Sequence, residues 1–124
     1  MKTARLALVF VLGASVAYGD DVDEIMDAAS DGIVVVSNVA GSVEVSGWSR
    51  NQVEVTGELG SRVEELIFER DGDEILIKVK VPRNNNGGIS SDLSINIPVA
   101  SSLQVNTVSA DIDVSDVEGE QELE

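Results

Sequence analysis

The chain has 124 residues, no cysteine, no histidine and a formal charge of −15. That length allows one domain at most. Its composition excludes disulfides, thiolate or imidazole metal sites and the Ser-His-Asp and Cys-His types of catalysis. The charge repels phosphate backbones and anionic lipid surfaces, so no nucleic-acid partner is expected.

The first residues read as a targeting segment. Lys2 and Arg5 are a short basic region, LALVFVLGASV (residues 6–16) is an apolar run, and Ala17-Tyr18-Gly19 offers small residues for a signal peptidase. These three regions, in this order, predict a signal peptide over residues 1–19, too short to span a bilayer comfortably. The mature domain is then residues 20–124, exported to the periplasm or secreted, with no membrane span once the signal is removed. It keeps six basic against 23 acidic residues, a formal −17, and loses the only tyrosine, Tyr18.

After Gly19 the pattern has a period of two, the signature of half-buried strands. Residues 20–30 (DDVDEIMDAAS) fit either a strand or a helical turn. Residues 33–36 are a short apolar run. Val43 and Val45 share a face, as do Val53 and Val55, and the hexapeptides SVEVSG (42–47) and QVEVTG (52–57) form an internal near-repeat. Leu66 and Phe68 follow on one face. Asp71-Gly72-Asp73 predicts a tight hairpin turn, since Asp-Gly tolerates positive φ.

Ile75, Ile77, Val79 and Val81 alternate with outward Lys78 and Lys80 until Pro82, which cannot donate to a ladder. RNNNGG (83–88) reads as a surface loop and the most protease-sensitive point. Leu93, Ile95 and Ile97 make another inward face, stopped at Pro98, and Leu103 and Val105 continue it. The inward parity then switches from odd to even at Ile112 and Val114, which requires a bend or bulge near 107–110.

About eight short strands and no convincing helix leave a β-solenoid or a β-sandwich. Small residues at the corners, among them Gly41, Gly47, Gly57 and Gly119, favour the solenoid. The ordered motifs also resemble a known group. Asn38-Val39-Ala40-Gly41-Ser42-Val43 with Gly47-Trp48, the strand ends Val81-Pro82 and Ile97-Pro98, and Thr107-Val108-Ser109-Ala110-Asp111-Ile112 are together similar to the bacterial putative-adhesin family, exported β-strand-repeat proteins of unknown function. The resemblance implies an elongated β-solenoid with further coils. Only one TVSADI element is present here, so the domain is expected to be incomplete at its C-terminus. The alternative is that the acidic EGEQELE is a cap of the kind solenoids need. Leu123, falling where another strand would begin, favours continuation.

The remaining chemistry is carboxylate chemistry. A Ser-Lys dyad would need Lys78 or Lys80, which read as solvated edge charges. Paired acids could support a polysaccharide-active enzyme, yet Asp111/Asp113, Glu64/Glu65 and Asp71/Asp73 are equally eligible and none is singled out. Asp111 and Asp113 share one strand face and are the candidate metal ligands. Oxygen donors suit calcium, although neither calcium-loop pattern occurs. Trp48 is the candidate partner contact, with burial in the core as its alternative. The reading is a non-catalytic exported module with a structural or adhesive role in the cell envelope, its partner an envelope or surface protein or a glycan. The alternatives are a calcium-dependent binding module and a carboxylate-based enzyme.

Overall fold

The computed structural model describes residues 21–82 and 88–124; the expected signal peptide and most of the RNNNGG loop lie outside them. The described residues form an all-β structure without a helix. The strands are β1 (Asp21–Asp27), β2 (Ile33–Trp48), β3 (Gln52–Glu58), β4 (Glu65–Asp71), β5 (Glu74–Lys80), β6 (Ser90–Pro98), β7 (Ser102–Ser115) and β8 (Gln121–Leu123). The ambiguous segment after residue 20 is therefore a strand, with Val22 and Met26 turned toward the core and Asp21, Asp23 and Asp27 toward solvent.

The sheet has the order β1-β3-β6-β2-β5-β4, with β7 paired to β2 and β8 to β7. The long strand β2 organises it. Its first half pairs in parallel with β5, from Ile33↔Glu74 to Ser37↔Lys78. Its second half pairs in parallel with β6, from Ala40↔Ser90 to Trp48↔Pro98. Along its other side β7 runs parallel, from Ile33↔Ser102 to Ser46↔Ser115. Two half-sheets thus share β2 and β7. Antiparallel β3 and β1 extend one half, and antiparallel β4 extends the other through β5.

Sequence reading predicted one bend, in β7, and the structure has two. β2 turns Val34 and Val36 inward before its corner and Val43 and Val45 after it. The parity switches at Gly41, whose φ is +109° and whose Cα lies so close to the Ser91 carbonyl that an added Cβ would stand 2.2 Å from it. Only glycine meets both demands. β7 bends beside it, Gly41 pairing with Ala110, so both strands change face together and their register is kept. The apparent boundary at Gly41 is an internal kink of one 16-residue strand.

The buried valines and isoleucines form rows across the strands. Val55, Ile95 and Val45 are successive neighbours through β3, β6 and β2, so the two near-repeat hexapeptides flank β6 rather than pair with each other. In the other half Phe68, Ile77, Val36 and Val105 make the corresponding row. Buried residues of both halves form one continuous core. Each fully buried side chain contributes about 1.5–3 kcal/mol, which lets a chain without disulfides hold together.

The whole is a curled, open sheet. The pile of coils expected from sequence is limited to the parallel stacking of β5 and β6 on β2, of β2 on β7, and of β8 beside the first half of β7 (Leu103↔Gln121 to Val105↔Leu123). The antiparallel β1, β3 and β4 depart from that pattern, and a separate two-sheet sandwich is not formed either.

Candidate functional site

The outward residues of β1, β3, β6 and the second halves of β2 and β7 form a mostly polar face, interrupted by exposed Ile25 on β1 and half-buried Trp48 at the end of β2. Register places Asp21, Glu58, Asp92, Ser42 and Asp111 side by side in one row. The next row is Asp23, Thr56, Ser94, Glu44 and Asp113. No lysine or arginine lies on these segments. Short side chains bridge the acids: Ser42 Oγ donates to Asp92 Oδ1 at 3.0 Å, and Asn96 Nδ2 to Glu54 Oε1 at 3.1 Å. These bonds offset part of the repulsion among the carboxylates, several of which are direct cross-strand neighbours, as in Asp21–Glu58–Asp92 and Glu44–Asp113.

The other half-sheet has a different surface. Lys78 and Lys80 point outward on β5, as predicted, beside the partly exposed aliphatics Ile33, Val35, Leu76 and Ile67. The basic charge of the strands is therefore confined to one half and the unbroken acidic rows to the other. Glu64 and Glu65 lie where β4 begins, and Asp71 and Asp73 at the tip of the β4–β5 hairpin, so neither pair belongs to the acidic rows.

Asp111 and Asp113 are exposed on the same face of β7, as the alternation requires. The residue beside Asp113 on β2 is Glu44, and that beside Asp111 is Ser42. Among the described residues no group of three or more acids is placed to hold a metal ion. The acids are spread along the sheet at strand spacing, whereas calcium needs oxygens converging on one point.

Trp48 is half-buried at the end of β2. Its indole N–H donates to the Gln52 carbonyl at 2.7 Å, and the Arg50 guanidinium lies 5.2 Å from the ring centroid. The indole thus clamps the turn between β2 and β3, with Arg50 over its face. A partner approaching this ring would have to displace or share Arg50.

Two features of the surface were not read from sequence. Glu24 turns to the inner side of edge strand β1, opposite Val55, where burial and then the charge of Asp23 raise its pKa above the ordinary carboxylate value. An inward charge on an edge strand discourages further pairing there. At the β2 corner Asn38 is buried, and its Nδ2 donates to the Ser91 carbonyl at 2.9 Å. Polar residues within an alternating run are the sequence signal for both, but the alternation alone does not say which face they take.

This curled sheet resembles that of a putative adhesin. A structure of a putative cell adhesion protein from Clostridium sporogenes superposes with a TM-score of 0.52 at 11% identity, over 77% of this chain and 51% of that one. A putative adhesin from Bacteroides fragilis gives a TM-score of 0.47 at 6% identity, over 85% of this chain and 52% of that one. The chain spans about half the length of these proteins. At 11% identity the likeness to the Clostridium sporogenes protein is one of fold. No protein-family model matches the chain, and no curated protein does. Among the described residues no helix is long and apolar enough to cross a membrane.

Proposed function

We propose that the chain is a non-catalytic, exported β-repeat module that binds at the cell envelope or cell surface in an adhesive or structural role. The observation that carries this reading is the pair of rows on the outer face, from Asp21 to Asp111 and from Asp23 to Asp113, in which carboxylates and short polar side chains cross five strand segments without a basic residue. An extended acidic face of that kind suits contact with another surface of opposite charge and gives no convergent constellation for turnover. The fold likeness to a putative cell adhesion protein supports the same reading, and the signal-like N-terminus supports export.

Within this reading β2, β7 and β8 are successive rungs of a short solenoid. The constant register of β2 with β7 supports it. So does the step of 18 residues from Leu103 to its neighbour Gln121, together with the Glu118 N–H donating to the Val99 carbonyl along the return path.

The test is retention of beads coated with the protein on immobilised envelope protein and glycan fractions, against beads coated with an unrelated protein of equal charge. Saturable retention, competed by soluble protein and weakened by salt, is expected. Retention no greater than that of the control beads defeats the reading. Export is checked separately by fractionation and by N-terminal sequencing, which should begin at Asp20.

A further inference from the structure

We propose that the Trp48 ring is the anchor for an arginine side chain of a basic partner protein, and that Arg50 occupies this place when no partner is bound. The inference rests on the binding-module reading above and narrows its partner to a protein segment that carries arginine.

The ring is fixed and its occupant is loosely held. The Trp48 carbonyl accepts from the Val99 N–H at 2.9 Å, and the Asn51 carbonyl accepts from the Ala28 N–H at 3.0 Å. The indole N–H donates to the Gln52 carbonyl at 2.7 Å. The turn between β2 and β3 is therefore tied at both ends and again by the indole. Arg50, inside that turn, is exposed. Its guanidinium lies 5.2 Å from the ring centroid, and among the described residues no carboxylate or carbonyl is bonded to it. A cation held over an exposed ring by that contact alone gains about two- to fivefold in an equilibrium constant, so a second guanidinium can displace it readily.

The place of the ring in the fold exposes it to a partner. Alternation along β2 puts Trp48 on the outer side with Glu44 and Ser46. β2 and β3 are interior strands of the sheet, so the site lies on a face and uses neither free edge. Asp27, opposite Gln52 on β1, accepts from Gln52 Nε2 at 3.2 Å, and Glu54 lies two residues further along β3. Glu44 and Asp113 extend the negative charge along the same face. An arriving cation meets only carboxylates on these strands, and Arg50 is the one cation it has to replace.

The chemistry of that exchange favours arginine. A guanidinium is planar and weakly hydrated, stacks on an aromatic face and leaves its N–H groups free for carboxylates, whereas an ammonium is a strongly hydrated point charge. A neutral sugar can stack on indole too, but it gains nothing from the surrounding acids and does not replace the cation. Tryptophan and arginine are also the side chains that most often dominate binding energy at protein interfaces.

Trp48 is the only tryptophan, so its fluorescence reads the site directly. The intact protein is titrated with an eight-residue peptide alternating arginine and glycine, at about 0.15 M salt. A saturable change in emission is expected. The citrulline counterpart, which has the shape without the charge, should bind at least about tenfold more weakly. Arg50→Ala should tighten the arginine peptide by about two- to fivefold. Lys78→Gln, which removes the same charge from the other half-sheet, should change it by less. Trp48→Ala, followed by anisotropy of the labelled peptide and with circular dichroism confirming its fold, should weaken binding at least about tenfold. No saturable binding, equal binding of the citrulline peptide, or an Arg50→Ala variant that binds no more tightly than Lys78→Gln would each overturn the inference. So would a neutral oligosaccharide such as cellohexaose that shifts Trp48 emission where the arginine peptide does not, which would assign the ring to a glycan. If the peptide fails while coated beads still adhere, the ring is not the anchor and the adhesive reading survives.

Discussion

The Arg70 guanidinium, near the end of β4, donates from Nη1 to the main-chain carbonyl of Asp27 at 3.0 Å, the last residue of β1. These strands are the two ends of the path β1-β3-β6-β2-β5-β4. The curl therefore brings the sheet's outermost strands to within one side chain of each other. Arg70 also ties its own hairpin, with Nε donating to the Gly72 carbonyl at 2.8 Å. Both bonds are solvent-exposed, so Arg70→Ala should lower unfolding free energy by only about 0.5–1 kcal/mol. Urea denaturation followed by far-ultraviolet circular dichroism measures it, and an unchanged midpoint would mean that core packing alone sets the curl.

The β2 corner should be far less forgiving. Gly41→Ala adds a Cβ against the Ser91 carbonyl in a backbone conformation that alanine avoids. It should cost more than about 2 kcal/mol or prevent folding. Gly72 also has positive φ but nothing near its Cβ position. Gly72→Asn should therefore cost under about 1 kcal/mol, since asparagine tolerates that conformation. Comparable melting temperatures for the two variants would contradict the assignment of Gly41 as the kink.

Asn38 tests the same corner from the side-chain direction. Its Nδ2 serves the Ser91 carbonyl, while its buried Oδ1 has no partner among the described residues. Asn38→Ala removes a bond and an orphaned acceptor together, so the net loss should be about 1–2 kcal/mol. Asn38→Asp should be worse, because it places a carboxylate beside carbonyl oxygens. A neutral Asn38→Ala in urea denaturation would show that the bond does not hold the corner.

Trp48 is the only tryptophan, so its fluorescence reports the β2–β3 turn alone. Trp48→Phe keeps an aromatic ring but loses the bond to the Gln52 carbonyl, and should destabilise by about 1 kcal/mol. Arg50→Ala should cost about 0.5–1 kcal/mol, the usual value of a cation over an exposed ring. A double-mutant cycle without coupling between positions 48 and 50 would remove the stacking contact from this account.

Glu24 gives a pH dependence of defined sign. Its folded pKa is raised, first by burial and second by Asp23. The folded state thus holds this proton more tightly than the unfolded state, and its contribution is fully present below the unfolded pKa and is lost as pH rises through the folded one. Glu24→Gln should therefore melt higher than the wild type at neutral pH, and the gap should close as pH falls through the carboxylate range. A gap independent of pH would show that Glu24 is not the group responsible.

Alternating valines and isoleucines fixed the strands and their inward faces, because the two-residue period is a property of the local backbone. Val43, Val53, Ile77 and Ile95 are all buried as that period requires. The same parity argument located the bend in β7. It applies equally to β2, where the inward set passes from Val34 and Val36 to Val43 and Val45, but a glycine between two alternating runs looks like a strand boundary. Pairing order was beyond local reading. Strands with identical alternation are interchangeable until long-range packing selects partners, so only the tertiary structure could set β6 between the two near-repeats, bring Arg70 to Asp27 and gather acids from five strand segments onto one face. Sequence determined which residues face inward. Tertiary structure decided which strands are neighbours, and therefore where charge, exposed edges and any binding surface lie.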